Sequence, residues 1–454
     1  MSKLKDVVHK PELVFVCIAS FLGLLSAILL PILAAPDENQ HFQVSYAIFS
    51  ADKHASGDLV LNESMILSAV RDGDYKEYYT EKTSASQDDI AINTGSLVFD
   101  GKTRASIYDI MHLPQAIGIL VGKLIYPSLG VMVLMGRLFT LALYVSALYV
   151  IIKKVRHGKW VFVFVASLPI MIQQAASLSY DPINALAIFT WVAFIVNLVT
   201  QHVKITRAQV ITGVFLVVFL LLSKSNNLLL LMLLFAIPKE RIIETRVIMR
   251  IRSNKHWKVI KYASLVVSAA LICAGIYLLS VKLLAGHEFH PNRLIHVLLN
   301  TFIWGDLALI DVSTIGILGQ FSNFYYHLPV WVVVTAFAVL LIIMLCEKLP
   351  TVSKKFAVIS GLLFFGSILL ITVGMYYGWA MRPERLGSNA EIADGIQGRY
   401  FTPLLILLFP LLAYAQKYVK IVTRTKTFIP ILSTSTSLIL LVLYLVQTWH
   451  FFWQ

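Results

Sequence analysis

Two adjacent carboxylates, Asp37 and Glu38, and then His41 follow directly on the first long apolar run of this chain. That run, residues 13–35, is long enough to cross a bilayer, which takes roughly 20 apolar residues. The three polar side chains therefore emerge at the membrane surface. Residues 37–50 read as a helix with Phe42, Tyr46 and Phe49 along one side. Lying in the interface, such a helix would hold Asp37, Glu38 and His41 on one face, because spacings of three and four are neighbours there. Carboxylates at the depth of a lipid head group suit proton abstraction or cation binding. The plainer alternative is that Asp37 caps the helix and Glu38 is solvated.

Three further stretches could carry chemistry. Asp181 stands between Tyr180 and Pro182 in a tight turn between two apolar runs, a setting that turn chemistry alone can explain. Lys224 interrupts two short apolar runs, and an ionisable group at that depth is a functional candidate by default, although a lysine can also snorkel to the head groups. In Gly395-Ile396-Gln397-Gly398-Arg399-Tyr400-Phe401-Thr402-Pro403, two glycines flanking Ile396 and Gln397 permit a tight turn or a close approach. Arg399 then stands where an apolar run begins, and its guanidinium is shaped for phosphate, or for simple anchoring at the surface. Arg382 and Arg385 lie in the loop just before it. His287, Glu288 and His290 could hold a metal, but a solvated loop pair is the commoner use. Arg137, inside an apolar run, reads as a structural partner.

The elements that must position these groups are membrane helices. Of the 454 residues, 58% are hydrophobic and 14% charged, with a mean hydropathy of +0.76; a soluble domain carries about 25% charged residues. The pattern predicts an all-α polytopic membrane protein with about eleven spans: 13–35, 129–152, 160–177, 183–200, 208–222, 226–238, 262–284, 329–346, 356–378, 401–415 and 428–448. Residues 107–126 are apolar but broken by Asp109, His112, Pro114 and Lys123, and read as interfacial or re-entrant. The net charge of +13 does not point to nucleic acid, because the bases gather between spans on one side. Segment 239–261 holds eight of them, whereas the loop 36–106 has twelve acids against six bases. By the positive-inside rule this places the N-terminus inside, 239–261 as the main cytoplasmic loop, and the loops 36–106, 285–328 and 379–399 outside. The first span is too long for a signal peptide core and reads as an uncleaved anchor. Cys17, Cys273 and Cys346 all fall in apolar runs, so neither a disulfide framework nor a thiolate site is expected. The phosphate-loop, dinucleotide and zinc-protease signatures are absent from the sequence.

The Asp37-Glu38…His41-Phe42 entry, the Tyr180-Asp181 turn and the Gln397-Gly398-Arg399-Tyr400-Phe401 stretch resemble a family of bacterial multipass proteins grouped with the class C (GT-C) glycosyltransferases. The Asp-Glu pair is also similar to that of protein O-mannosyltransferases and aminoarabinose transferases. His112-Leu113-Pro114 resembles a weakened His-Pro-Pro signal. The resemblance implies a single GT-C-like transmembrane domain in the bacterial plasma membrane; the span pattern puts the N-terminus inside and the C-terminus outside. It implies transfer of a sugar from a polyprenyl-phosphate donor to a cell-envelope glycan or related acceptor. Asp37 would be the base of an inverting transfer, and Glu38 would orient it or help it hold a cation. Arg399 and Lys224, with Arg382 or Arg385, would take the donor phosphate, and Asp181 and His41 the acceptor or a cation. No cofactor is required; magnesium or manganese would suit these oxygen ligands. A transporter or flippase for lipid-linked saccharides, or a polymerase or ligase acting on them, is the alternative. A transporter favours midplane polar groups and internal repeats, whereas here the charges gather at one face and no repeat is visible.

Overall fold

Helix α1, Pro11–Leu29, starts on a proline, whose missing N–H is not needed in a first turn, and ends just before Pro31, which cannot continue it. The computed structural model describes residues 10–49, 107–126, 129–241, 290–304, 316–321, 326–419 and 427–454, apart from 33, 351 and 384. After α1 comes the short helix α2, Glu38–Phe49. A 3₁₀ turn, Ile107–His112, then leads into α3, Leu113–Ile125. At thirteen residues and about 1.5 Å per residue, α3 is some ~20 Å long, short of a ~30 Å hydrocarbon core. It folds back on α4, Leu129–Lys154. Gly118 and Gly122 let the two backbones touch: a Cβ on Gly118 would lie 2.4 Å from the Met135 carbonyl oxygen.

The centre of the bundle is a broken helix. α5, Lys159–Ala166, and α6, Pro169–Ala175, are separated at Ser167 and Leu168, where Pro169 removes a ladder donor. Every residue from Trp160 to Ser179 is buried. Helix α7, Asp181–Thr200, packs beside it, also buried on nearly all sides. A segment this uniformly apolar shows no helical stripe because it has protein, not lipid, on every face.

Around this centre stand α8, Arg207–Ser223, opened by a Thr206–Gln209 capping box, and a 3₁₀ helix, Ser225–Ala236. The overwound form rises about 2.0 Å per residue, so a short run reaches further across the apolar layer than α geometry would. α9, Pro291–Leu299, and the small α10, Gly316–Gly319, precede a two-residue ladder in which Gln320 pairs with His327 and Phe321 with Tyr326. α11, Val330–Cys346, α12, Lys354–Met375, α13, Leu408–Ala415, and α14, Phe428–Trp453, complete the bundle. Buried hydroxyls tie the helices together: Ser26 with Tyr444 at 2.8 Å, and Tyr326 with Thr448 at 2.7 Å.

An all-α membrane protein fits, but eleven spans are not established. Among the described residues six stretches are long and apolar enough to cross: 11–29, 129–154, 181–200, 354–380, 398–415 and 428–453. The expected spans at 208–222, 226–238 and 329–346 are shorter apolar helices. The one at 160–177 is the broken pair α5 and α6. The span at 262–284, nearly all of the 239–261 loop, most of the 36–106 loop, and His287 with Glu288 lie outside the described residues.

Candidate functional site

The site rests on a buried ion pair. Arg137 of α4 donates from Nε to Glu38 Oε1 at 2.8 Å and from Nη2 to Glu38 Oε2 at 2.6 Å. Its remaining N–H groups go to the carbonyls of Ala27, Leu30 and Pro31, the last turn of α1 and the residues after it. Those carbonyls have no helical partner of their own, and Arg137 supplies one. Glu38 accepts in addition from the backbone N–H of Leu178 at 3.1 Å. The side chains are 2% and 0% exposed. This pair bolts the α1–α2 corner to α4 and to the segment before α7.

The corner presents Asp37 into a cavity of about 650 Å³. Asp37 is the one non-glycine residue with positive φ among those described, at 57°, a left-handed conformation that Asp and Asn tolerate better than most. Arg399 donates from Nη2 to Asp37 Oδ2, and from Nη1 to the Pro36 carbonyl at 3.2 Å and Gln174 Oε1 at 3.3 Å. Its Nε lies 3.3 Å from Asp181 Oδ2 but makes no hydrogen bond. Lys224 donates to the other oxygen, Asp181 Oδ1, at 2.8 Å. Four charges thus alternate along one line, Asp37, Arg399, Asp181, Lys224, and sum to zero. The Lys224 ammonium also sits over the rings of Tyr180 and Tyr400, at 4.9 and 4.8 Å from their centres.

Each charge is delivered by an element end. Asp181 opens α7, where a carboxylate meets the positive end of the helix dipole. Lys224 occupies the break between α8 and the following 3₁₀ helix. Arg399 lies in the 3₁₀ turn Gly398–Tyr400, which is pressed onto α10: a Cβ on Gly398 would stand 2.0 Å from the Gly316 carbonyl carbon. The same cavity is also lined by the apolar side chains of Ile188, Leu221, Leu222, Leu370, Ile371 and Leu404.

A neutral face completes the mouth. His41 Nδ1 and His112 Nε2 lie within hydrogen-bond distance at 3.0 Å, one ring donating to the other, and both rings pack against Tyr180. Burial, reinforced by His112 and by the Arg399 and Lys224 charges, lowers the His41 pKa to about 3 against the pull of Asp181. Burial likewise lowers His112 to about 4, although Asp109 and Asp181 draw it up. Both imidazoles are therefore neutral at pH 7.

Five of the residues singled out in the sequence, Asp37, His41, Asp181, Lys224 and Arg399, line this one cavity. Three do not. Glu38 is not free to orient Asp37 or to hold a cation, since both its oxygens are taken by Arg137 and it faces away from solvent. Arg382 and Arg385 are exposed and lie over Trp379, at 5.1 and 4.3 Å from its ring. The wall also includes Asp109, His112, Tyr400 and Asn227, to which the sequence reading gave no site role, although His112 and Tyr400 stand in the motifs that carry the resemblance. Asn227, bonded to Asn184 at 2.6 Å, was visible as an amide inside an apolar run. For a divalent cation the fit is poor: Asp37 and Asp181, the carboxylates it would use, are bridged by Arg399. Among the described residues no group of three His, Cys, Asp or Glu is placed to hold a metal.

Six helices of this length and composition among the described residues define a polytopic helical membrane protein. The chain belongs to the family described as Predicted membrane protein (DUF2142), whose model matches residues 20–408. No curated protein and no solved structure matches it.

Proposed function

We propose that this protein is a membrane glycosyltransferase that moves a sugar from a polyprenyl-phosphate donor to an envelope glycan or related acceptor. One observation carries the reading: a single cavity is lined both by two cations, Lys224 and Arg399, and by a set of apolar side chains. A lipid-linked phosphate needs both, cations for the head and hydrocarbon for the tail. The resemblance of the Asp37-Glu38, Tyr180-Asp181 and Gln397-to-Phe401 motifs to GT-C enzymes supports the same class.

In this reading the acceptor hydroxyl attacks the anomeric carbon, the bond from that carbon to the phosphate oxygen breaks, and the configuration inverts. Asp37 takes the hydroxyl proton. Lys224 and Arg399 receive the charge that develops on the departing lipid phosphate, a role worth on the order of 3 kcal/mol per well-placed donor. Asp181 holds the two cations in register. His41, neutral and paired with His112, offers hydrogen bonds to sugar or acceptor hydroxyls. The membrane would be the bacterial plasma membrane with the cavity facing outward, as the charge pattern of the loops suggests.

The test is donor turnover by protein in nanodiscs, supplied with polyprenyl-phosphate sugars and envelope acceptors, beside Arg399→Ala. Turnover by wild type and its loss in the variant is the expected result. The broken helix α5–α6, with Gln174 reaching Arg399, is a feature that transporters share. Movement of lipid-linked saccharide between leaflets with no donor consumed would favour that second reading.

A further inference from the structure

Among the described residues, two buried arginines turn their Nε–Nη2 edges to carboxylates, and they are used differently. On Arg137 that edge is gripped by one carboxylate, Glu38, through two short hydrogen bonds. On Arg399 the same edge is divided between two. Nη2 bonds Asp37, while Nε faces Asp181 at 3.3 Å and, although buried, has no hydrogen-bond partner. A buried guanidinium N–H left unbonded is costly, so this edge is an incompletely filled seat for a bidentate oxyanion.

The charges around it leave no room for an extra negative group. Asp37, Arg399, Asp181 and Lys224 already sum to zero, and Asp109 on the same wall adds a further carboxylate. An oxyanion added to this set would be an uncompensated charge in a poorly solvated cavity, unless one carboxylate gives way. The four side chains differ in how readily they can leave. Arg399 is 4% exposed, Asp181 11% and Lys224 21%, but Asp37 is 34% exposed. Asp181 is held on its other oxygen by Lys224 and stands at a helix N-terminus. Asp37 has one ion-pair partner, is the member nearest to water, and sits on a left-handed backbone position outside any span.

We propose that Asp37 is a displaceable latch on Arg399: a lipid-linked phosphate takes over the Nε–Nη2 edge of Arg399, and Asp37 swings free as it does so. This rests on the reading of the cavity as a site for a lipid phosphate. No covalent bond changes in the exchange; one carboxylate–guanidinium pair is replaced by a phosphate–guanidinium pair, and the released carboxylate moves toward water. In the resting protein the Asp37 carboxylate is tied to the Arg399 guanidinium. It becomes an unpaired carboxylate only once donor phosphate is seated, which couples donor binding to activation of the base.

The exchange has a consequence opposite to that of an ordinary binding residue: removing the Asp37 charge should tighten phosphate binding. The experiment measures the affinity of detergent-purified full-length protein for geranylgeranyl phosphate, with geranylgeraniol as the uncharged control. It compares wild type, Asp37→Asn and Arg399→Ala, with melting temperatures as a check on folding. Asn tolerates the left-handed backbone as Asp does, so Asp37→Asn changes charge and little else. The expected result is at least tenfold tighter binding of the phosphate by Asp37→Asn than by wild type, and loss of binding in Arg399→Ala. Equal or weaker binding by Asp37→Asn, with wild type still preferring the phosphate to the alcohol, would overturn the latch and leave the phosphate site standing. If folded wild type and Asp37→Asn both bind the phosphate no better than the alcohol, the reading of the cavity fails and the latch with it.

Discussion

Arg137 and Glu38 face each other across two parallel hydrogen bonds of 2.8 and 2.6 Å, in a place that water does not reach. The pair lies one residue from Asp37, so the position of the candidate base is set by an ion pair that takes no part in its chemistry. Removing one partner leaves the other as a buried, unpaired charge. Arg137→Met or Glu38→Gln is therefore expected to cost about 3–5 kcal/mol, read as a large drop in melting temperature in detergent. The double variant should be less destabilised than the sum of the two. Simple additivity would show that the two residues do not act as a pair.

His41 and His112 set a pH dependence whose direction follows from their environment. Unfolded imidazoles take up protons near pH 6.5, whereas in the folded protein His41 and His112 do so only near 3 and 4. Below pH 6.5 the unfolded state binds more protons, so stability present at pH 7 is lost as the pH falls toward 4. Their surroundings include Asp109, Asp181, Arg399, Lys224 and Tyr180. Replacing both histidines by glutamine should flatten the fall of melting temperature between pH 6.5 and 4.5. An unchanged slope would assign the acid sensitivity to the carboxylates instead.

Lys224 and the two loop arginines offer a contrast on turnover. Lys224 lines the cavity and touches Asp181, while Arg382 and Arg385 lie over Trp379 outside it. Lys224→Met is expected to lower kcat by about a hundredfold, the effect of losing one preorganised donor. Arg382→Ala and Arg385→Ala should stay within about twofold, as surface changes away from a site usually do. A loss in Arg385→Ala as large as in Lys224→Met would put the phosphate nearer to Trp379.

Gly398 carries Arg399 by contact with another backbone. A Cβ there would fall 2.0 Å from the Gly316 carbonyl carbon, and main chain cannot turn aside as a side chain can. Gly398→Ala should destabilise by at least the ~1–3 kcal/mol of an overpacked core and lower turnover by shifting Arg399. Gly378→Ala, where an added Cβ meets nothing within 4 Å, is the matched control and should melt like wild type. Equal melting of the two variants would mean that the 398 turn is free to move.

Much of the site could be read from residue types. Asp37, Asp181, Lys224 and Arg399 stand out because charge is expensive at the edge of an apolar run and is rarely there without use. Glu38 is set apart from Asp37 for a definite reason. Adjacent carboxylates look equivalent in a sequence, but neighbouring residues on a helix start point in different directions, and a buried arginine 99 positions away captured one of them. Arg382 and Arg385 misled for a similar reason: closeness to Arg399 along the chain does not bring them to the same cavity.

The chain by itself determined that this is a helical membrane protein, because a backbone in hydrocarbon must satisfy its own hydrogen bonds and long apolar runs do so as helices. Pro31 and Pro169 end or break helices that the apolar runs 13–35 and 160–177 read as continuous, because hydropathy alone carries no record of a missing ladder donor. Which charges share a cavity was decided only by the tertiary structure. Arg399 meets Asp37 across 362 residues and Lys224 meets Asp181 across 43, and such pairings depend on helix packing that no local pattern encodes. The same holds for the division of labour between Asp37 and Glu38, which turns on which carboxylate Arg137 buries and which remains within reach of water.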